Sequence, residues 1–303
     1  MSDTEHLVLV TGARGHMAAQ IIPGLEGSYR LRLTDLHGNG EVLAADLGTT
    51  ERSELMPLFE GVDTVVHLGY KHSAPGANYD ATVPHVEKFE VEFLNIRMVQ
   101  NVLRCALDAG VRRVVVASSN HAADWYENNL VQKGLKDVVT PEELPLADNF
   151  YGWSKASYEH LGFLYACGSL GRPLEVVMVR IGAPRDLDPD MYSASEPPAP
   201  QPGPNFPIGL ARYKRDLGAW ISEDDVRQLF ARCVDAPDIR NEHGVPWQVV
   251  YGISDNTRAF WSLGSARRVL GYAPQDDSEV RYQEDIRRLL GDSGKPRAGK
   301  LGV

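Results

Sequence analysis

The chain has no excess of positive charge: 31 lysines and arginines stand against 41 aspartates and glutamates, a formal net charge of -10 over 303 residues. Phosphate binding along a nucleic acid needs a basic footprint, and without one nucleic acid is not an expected partner. No apolar run approaches the roughly 20 residues that cross a bilayer. The start, Met1 to Glu5, is short and acidic and has neither the basic segment nor the apolar length of a signal peptide. No membrane partner and a cytoplasmic location are therefore expected. Cysteine is also scarce. Cys105, Cys167 and Cys233 are odd in number, widely spaced and set in helix-like surroundings, so they are expected as reduced packing residues, with neither a disulfide nor a metal site. No internal repeat is visible. What is present, 43% hydrophobic and 24% charged residues, is ordinary for a folded globular chain and argues against extensive disorder. The length suits one large α/β domain, or a nucleotide-binding domain with a small lobe built onto it.

Up to about residue 181, short β-branched runs alternate with helical patterns, the rhythm of a parallel sheet covered by helices on both faces. Strands are predicted at His6–Thr11, Tyr29–Thr34, Glu41–Ala45, Thr64–Leu68, Arg113–Ser118 and Glu175–Ile181. Helices are predicted at about His16–Leu25, Thr50–Glu60, Val86–Ala109 and Ser154–Gly171. The expected class is α/β, a Rossmann-type doubly wound parallel sheet with a small C-terminal substrate-binding lobe. Residues 1–182 form the nucleotide-binding domain in this reading, and residues 183–303 the lobe. Pro184 to Pro207 contains eight prolines, which cannot sustain a helix or a central strand. The excursion, taken as residues 183–218, is either a mobile surface loop or a substrate lid. Order returns at Ser222-Glu223-Asp224-Asp225, a good helix N-terminus, and at Gln248–Tyr251, a strand. The tail from Ser293 to Val303 reads as frayed.

Thr11-Gly12-Ala13-Arg14-Gly15-His16-Met17-Ala18 follows the first strand and opens the first helix. Gly12 permits the tight turn, Gly15 lets the backbone approach a pyrophosphate, and Ala18 allows close helix packing. Asp35 ends the second strand, where a carboxylate binds the hydroxyls of an adenosine ribose and repels a further phosphate there. That favours NAD over NADP. Arg14 could pair with such a phosphate, but Leu36 and His37 supply no second strong base. Asp46-Leu47 would lie near the adenine, Asp46 being alternatively a turn or cap residue, and His67-Leu68-Gly69 near the middle of the cofactor.

Tyr151-Gly152-Trp153-Ser154-Lys155 puts a phenol and an ammonium one turn apart on a helix. The spacing alone is common. Its place after Ala117-Ser118-Ser119-Asn120-His121, at the carboxyl end of the sheet, gives it weight. Hydride leaves a carbinol carbon only as the hydroxyl proton is removed, and a phenol with a pKa of about 10 is a poor base at neutral pH. Lys155 corrects this by favouring tyrosinate. Ser119 is preferred to Ser118 for holding the reacting oxygen, because alternation along the strand points the two apart.

At these residues the chain resembles the extended short-chain dehydrogenase/reductase superfamily. Within it the chain is most similar to the uronate dehydrogenases and related NAD-dependent sugar and sugar-phosphate dehydrogenases. The stretches carrying the likeness are Ala117–His121, Val179-Arg180-Ile181-Gly182, Ala219–Asp225, Val250–Asn256 and Leu270–Asp276. The resemblance implies oxidation of a cyclic sugar at its anomeric hydroxyl to a lactone, and a homo-oligomer as the usual assembly. It implies that Asn120 and His121 contact the sugar, unless they serve only as strand-end hydrogen bonders. Asn95 matches an asparagine that supports a proton-relay water, or is a plain polar residue inside a helix. Ala183 departs from the serine of the uronate enzymes, and the proline-rich segment is longer than theirs. Arg185, Arg212, Lys214 and Arg215 could hold an anionic group on the sugar, or be solvated surface charge.

Cofactor contacts are thus expected from Gly12, Arg14, Gly15, His16, Met17, Asp35, Leu36, Asp46, Leu47, Leu68, Gly69, Asn95, Tyr151, Lys155 and Ile181. Substrate contacts are expected from His72, Ser119, Asn120, His121, Tyr151 and Arg185, with Ser119, Tyr151 and Lys155 catalytic. Two other functions share the fold: a nucleotide-sugar epimerase or dehydratase with tightly bound NAD, and a catalytically silent NAD-sensing protein. The first usually needs a larger C-terminal lobe. The second has no need of an intact Ser119, Tyr151 and Lys155.

Overall fold

The structure, a computed structural model, describes residues 6–72, 83–193 and 209–290. The first part of the chain forms β1 (Leu7–Thr11), α1 (His16–Leu25), β2 (Arg30–Asp35), β3 (Val42–Ala44), α2 (Arg52–Phe59), β4 (Thr64–His67), α3 (His85–Asp108) and β5 (Arg113–Ser119). A 3-10 turn at Asn120–Ala123, α4 (Asp124–Tyr126) and a π-helical turn at Glu127–Val131 lead to α5 (Phe150–Ala166) and β6 (Glu175–Ile181). Then come α6 (Asp190–Ser193), α7 (Gly209–Ala219), α8 (Glu223–Asp235), β7 (Trp247–Gly252), a π-helical turn at Ala266–Leu270, α9 (Ser278–Arg281) and α10 (Gln283–Leu290).

The strands form one all-parallel sheet in the order β3-β2-β1-β4-β5-β6-β7. Their valine-rich runs are apolar on every residue because both faces are covered. Val8, Val10, Val66, Val115, Val177, Val179 and Val250 pack on one side with α1 and α8. Leu9, Val65, Val114, Val116, Val176, Met178 and Val249 pack on the other with α2, α3 and α5. The chain starts at β1, winds outward to β3 and returns to β4. The order reverses between β1 and β4, and such a reversal opens a crevice at the carboxyl ends of the strands.

Two buried arginines fix helices to this sheet. Arg180 on β6 makes a two-pronged ion pair with Glu159 on α5, at 2.8 and 2.7 Å, and donates to the Tyr251 hydroxyl on β7. Ser118 on β5 donates to the same carboxylate at 3.0 Å. Arg113 donates to the carbonyls of Cys233, Val234 and Ala236, so a cation caps the carboxyl end of α8.

The C-terminal part returns to the sheet as β7 and also builds an apolar cluster of its own, with Leu187, Tyr192, Tyr213, Leu217, Trp220, Tyr282 and Ile286. The excursion differs from the expectation at its end. Beyond Pro207 no proline intervenes, and the chain forms α7 over most of residues 209–219. Residues 194–208 lie outside the described residues, as does the tail from Ser293, so neither the lid nor the fraying is described. The helix expected from Ser154, α5, begins at Phe150 instead, because Asn149 caps it by accepting from the Gly152 N–H at 2.8 Å. Cys105 and Cys233 are buried, but Cys167 is exposed and is not a packing residue. Among the described residues no helix is long and apolar enough to cross a membrane.

Candidate active site

A cleft of about 960 Å³ runs along the carboxyl ends of the central strands, from the turn after β1 to the start of α5. The turn depends on glycine. Gly12 has φ +70°, and a Cβ there would lie 2.6 Å from the Gly69 nitrogen, so the turn and the end of β4 meet only as bare backbone. Gly15 starts α1 with no side-chain cap, and the first turn of α1 has no acidic residue. Its open N–H groups suit an anion. Asp35 is fixed by the backbone N–H groups of Arg14 (3.0 Å) and Leu36 (2.7 Å). The Arg14 guanidinium donates to the His37 carbonyl at 3.1 Å. Asp46 serves as both wall and turn: it accepts from the Gly48 N–H at 2.9 Å and sits 3.6 Å from the Lys71 ammonium. Burial alone would raise its carboxyl, yet bonds from Thr49 and Gly48 and the Lys71 charge hold it below the usual range. An uncapped helix start beside an anchored carboxylate fits the pyrophosphate and ribose of a dinucleotide without a 2′-phosphate.

At the other end Tyr151, Lys155 and Ser119 meet. The Ser119 hydroxyl hydrogen-bonds the Tyr151 phenol, while burial pushes that phenol up to about 12. Lys155 donates to the Ala117 carbonyl at 3.1 Å and lies 4.7 to 5.5 Å from the ring centres of Tyr158, Tyr70 and Tyr151. Burial brings its ammonium down to about 8, opposed by the charge of Glu92. Behind the pair, Glu92 on α3 is fully buried and accepts from the hydroxyls of Tyr70 and Ser154. Tyr70 packs edge-on against both His72 and Tyr151. His121 packs edge-on against Tyr151, and its Nδ1 lies 2.6 Å from Asp124. Asn149, the cap of α5, also donates to Asp124, so the start of the helix and the imidazole share one carboxylate. Gly152 permits this closeness, since a Cβ there would lie 2.1 Å from the His121 carbonyl oxygen. His67 hydrogen-bonds Thr11 at 2.6 Å, and burial with the Lys155 charge holds it down to about 3, hence neutral.

Most expected contacts line the cleft: Gly12, Arg14, Gly15, His16, Met17, Asp35, Leu36, Asp46, Leu47, Leu68, Gly69, His72, Ser119, His121, Tyr151, Lys155, Ile181 and Arg185. Asn95 does not. Its amide is spent on the Lys71 backbone, accepting from the N–H at 2.8 Å and donating to the carbonyl at 3.0 Å, so it shapes the Tyr70–His72 loop from behind. Asn120 is not a wall residue either; it is 1% exposed, and its Oδ1 accepts from the Ser119 hydroxyl at 3.3 Å. The arginine cluster is likewise altered. Arg215 is buried in an ion pair with Glu127 and a further contact to Asp216. Arg185 and Arg212 also converge on Asp216, at 2.7 and 3.7 Å. Burial would raise Asp216, but Arg185, Arg215, Tyr192 and Arg212 together keep it ionised, below the usual carboxylate range. Of Arg185, Arg212, Lys214 and Arg215, only Arg185 reaches the cleft.

Sequence reading missed Tyr70, Lys71, Met98 and Pro184 in the wall and Glu92 and Asp124 behind it. Tyr70-Lys71 lies directly before His72 at the mouth of β4, where strand ends carry ligand contacts. Glu92 carried a signal too: Glu92, Asn95, Val99 and Val102 recur at helical spacing on the buried side of α3, and a charge on such a stripe asks for a partner.

A model of the NAD dependent epimerase/dehydratase family matches residues 8–179. An NAD-dependent glucose-6-phosphate dehydrogenase of Haloferax volcanii is 31% identical over 89% of this chain and 94% of its own length. A uronate dehydrogenase of Pseudomonas syringae pv. tomato is 29% identical over 94% of this chain and 88% of its own. Among solved structures, a mutant uronate dehydrogenase from Agrobacterium tumefaciens complexed with NAD superposes with a TM-score of 0.66 at 25% identity, covering 97% of this chain and 91% of that one.

Proposed function

The chain belongs to the NAD dependent epimerase/dehydratase family, and from that premise we propose that it is an NAD-dependent sugar dehydrogenase that oxidises the anomeric hydroxyl of a cyclic sugar to the lactone. The observation carrying this is the meeting of Ser119, Tyr151 and Lys155 in a cleft that begins at the Gly12 turn and Asp35. In this reading the Gly12–Met17 turn holds the pyrophosphate, Asp35 the adenosine ribose, and Leu36, Asp46, Leu47, Leu68, Gly69 and Ile181 the walls around the cofactor. Bound NAD supplies the hydride acceptor.

Ser119 holds the anomeric oxygen and Tyr151 accepts its proton. A phenol raised by burial is a weak base, so the Lys155 charge one turn away is needed to favour tyrosinate. His72, His121 and Arg185 face the sugar. Arg185, shared with Asp216 but half-open to the cleft, suits an acidic sugar: a uronate, a sugar phosphate or a sulfonated sugar. Residues 183–303 act as the substrate lobe. A homo-oligomer is proposed on the aromatic strip of α3 and α5, where Phe89 and Phe93 stack and Phe93 and Trp153 are exposed.

Purified protein given NAD and a panel of glucuronate, glucose 6-phosphate, a sulfonated glucose and a neutral aldose is expected to form NADH with one class. A Tyr151→Phe variant is expected to bind NAD and lose turnover by at least about a hundredfold. No NADH with any sugar, together with epimerisation of a nucleotide sugar, would replace this reading with the epimerase one.

A further inference from the structure

A carboxylate without solvent is costly unless its charge is compensated. Glu92 is 0% exposed, and it sits on α3 directly behind the helical turn that carries Tyr151 and Lys155. Its compensation comes from that site. Ser154, between the two residues in sequence, donates to Oε2 at 2.5 Å and also contacts the Tyr151 carbonyl at 2.8 Å. Tyr70 donates to Oε1, and the ring of Tyr70 lies 4.9 Å from the Lys155 ammonium. The Tyr70 and Ser154 hydroxyls directed at its two oxygens suit a carboxylate, which accepts at both.

We infer that Glu92 is a positioning residue for the proposed reaction: a fixed buried anion that sustains the Lys155 ammonium and holds the Tyr70 ring against it. The inference rests on the assignment of Tyr151 and Lys155 to the chemistry. The Glu92 charge raises the proton affinity of both, opposing burial at Lys155 and adding to it at Tyr151. The other titratable groups facing the pair are Tyr70, His67 and His72 on and after β4, His121 and Asp124 after β5, and Tyr158 on the same helix. Burial and the Lys155 charge lower both His67 and His72, so among these neighbours the negative charge of Glu92 is what offsets the burial of Lys155.

Oxidation quickens as Tyr151 loses its proton and slows as Lys155 loses its own. The limbs belong to the pair together. Removing the Glu92 charge lowers both affinities and moves the whole pH profile of kcat/KM toward acid. The test is Glu92→Gln, which keeps the volume and one acceptor oxygen while removing the charge. A displacement of about one pH unit is expected, the rate rising up to about tenfold on the acid limb and falling about tenfold on the alkaline limb. Glu92→Asp, which keeps the charge, is expected to restore the wild-type limbs. A merely structural role would lower the whole profile without moving it, and that result overturns the inference. The second readout needs neither sugar nor NAD: the near-ultraviolet tyrosinate absorbance of Tyr151, taken as the difference from Tyr151→Phe, should also titrate at lower pH in Glu92→Gln. Should Glu92→Gln not fold, the double change Glu92→Gln with Tyr70→Phe, which also removes the hydroxyl donor facing the new amide, takes its place; an unmoved titration there overturns the inference. An inactive Tyr151→Phe with unmoved limbs in Glu92→Gln removes only the role of Glu92, whereas an active Tyr151→Phe removes the catalytic assignment beneath it.

Discussion

Among single residues, Asp35 is the one proposed to decide the cofactor. Its carboxylate is held by two backbone N–H groups and so keeps its place whether or not a ribose is bound. A charge-assisted hydrogen bond of this kind contributes about 1.5–3 kcal/mol. Asp35→Ala is therefore expected to cut kcat/KM for NAD by about tenfold or more. The same change removes the repulsion toward a 2′-phosphate while leaving Arg14 nearby, so activity with NADP should fall less or rise. Steady-state kinetics with both cofactors check this; equal losses for the two would show that Asp35 does not face the ribose. The gathering of Asp35, Tyr151, Lys155 and Ser119 in one cleft was legible because each lies at a short offset from a strand end or a helix start. Asn95 and Asn120 each had two readings, because a polar side chain near a site has two possible employers, and only the backbone path shows that Lys71 claims one and Ser119 the other. Arg215 was misjudged for a similar reason: Glu127, 88 residues away in sequence, takes its charge.

At the level of elements, α5 carries the proposed catalytic pair, Tyr151 and Lys155, and a buried ion pair anchors it. Glu159 receives Arg180 from β6 and Ser118 from β5, both essentially without solvent. Glu159→Gln leaves the Arg180 charge buried and only partly matched, which costs about 3–5 kcal/mol. Urea unfolding should show that loss as a lower midpoint, and the double change Glu159→Leu with Arg180→Met should recover part of it, since a hydrophobic pair of similar volume avoids burying either charge. An unchanged midpoint in Glu159→Gln would mean that the pair does not anchor the helix. The helices and strands themselves were largely legible, because valine runs buried on both faces and a cap at Ser222 are local signals. The start of α5 was not. Its cap, Asn149, lies five residues before the expected start, in a stretch whose apolar pattern is weak. The helix α7 was hidden by the prolines before it.

For the whole molecule, the sheet reversal between β1 and β4 places the glycine turn and the Tyr151–Lys155 pair along one cleft. The doubly wound order could be read from the alternation of strands and helices. The meeting of Tyr70, Glu92 and Ser154 could not, since it joins three elements whose separation in sequence says nothing of their contact. The central claim is that this cleft moves hydride from an anomeric carbon while Tyr151 takes the proton. It is tested most directly with a panel sugar carrying deuterium at C1, by following NADH formation and locating the label. The expected result is deuterium on the nicotinamide of NADH, a lactone as the first product and a several-fold slower kcat/KM than with the unlabelled sugar. Deuterium kept on the sugar with no NADH released would contradict it.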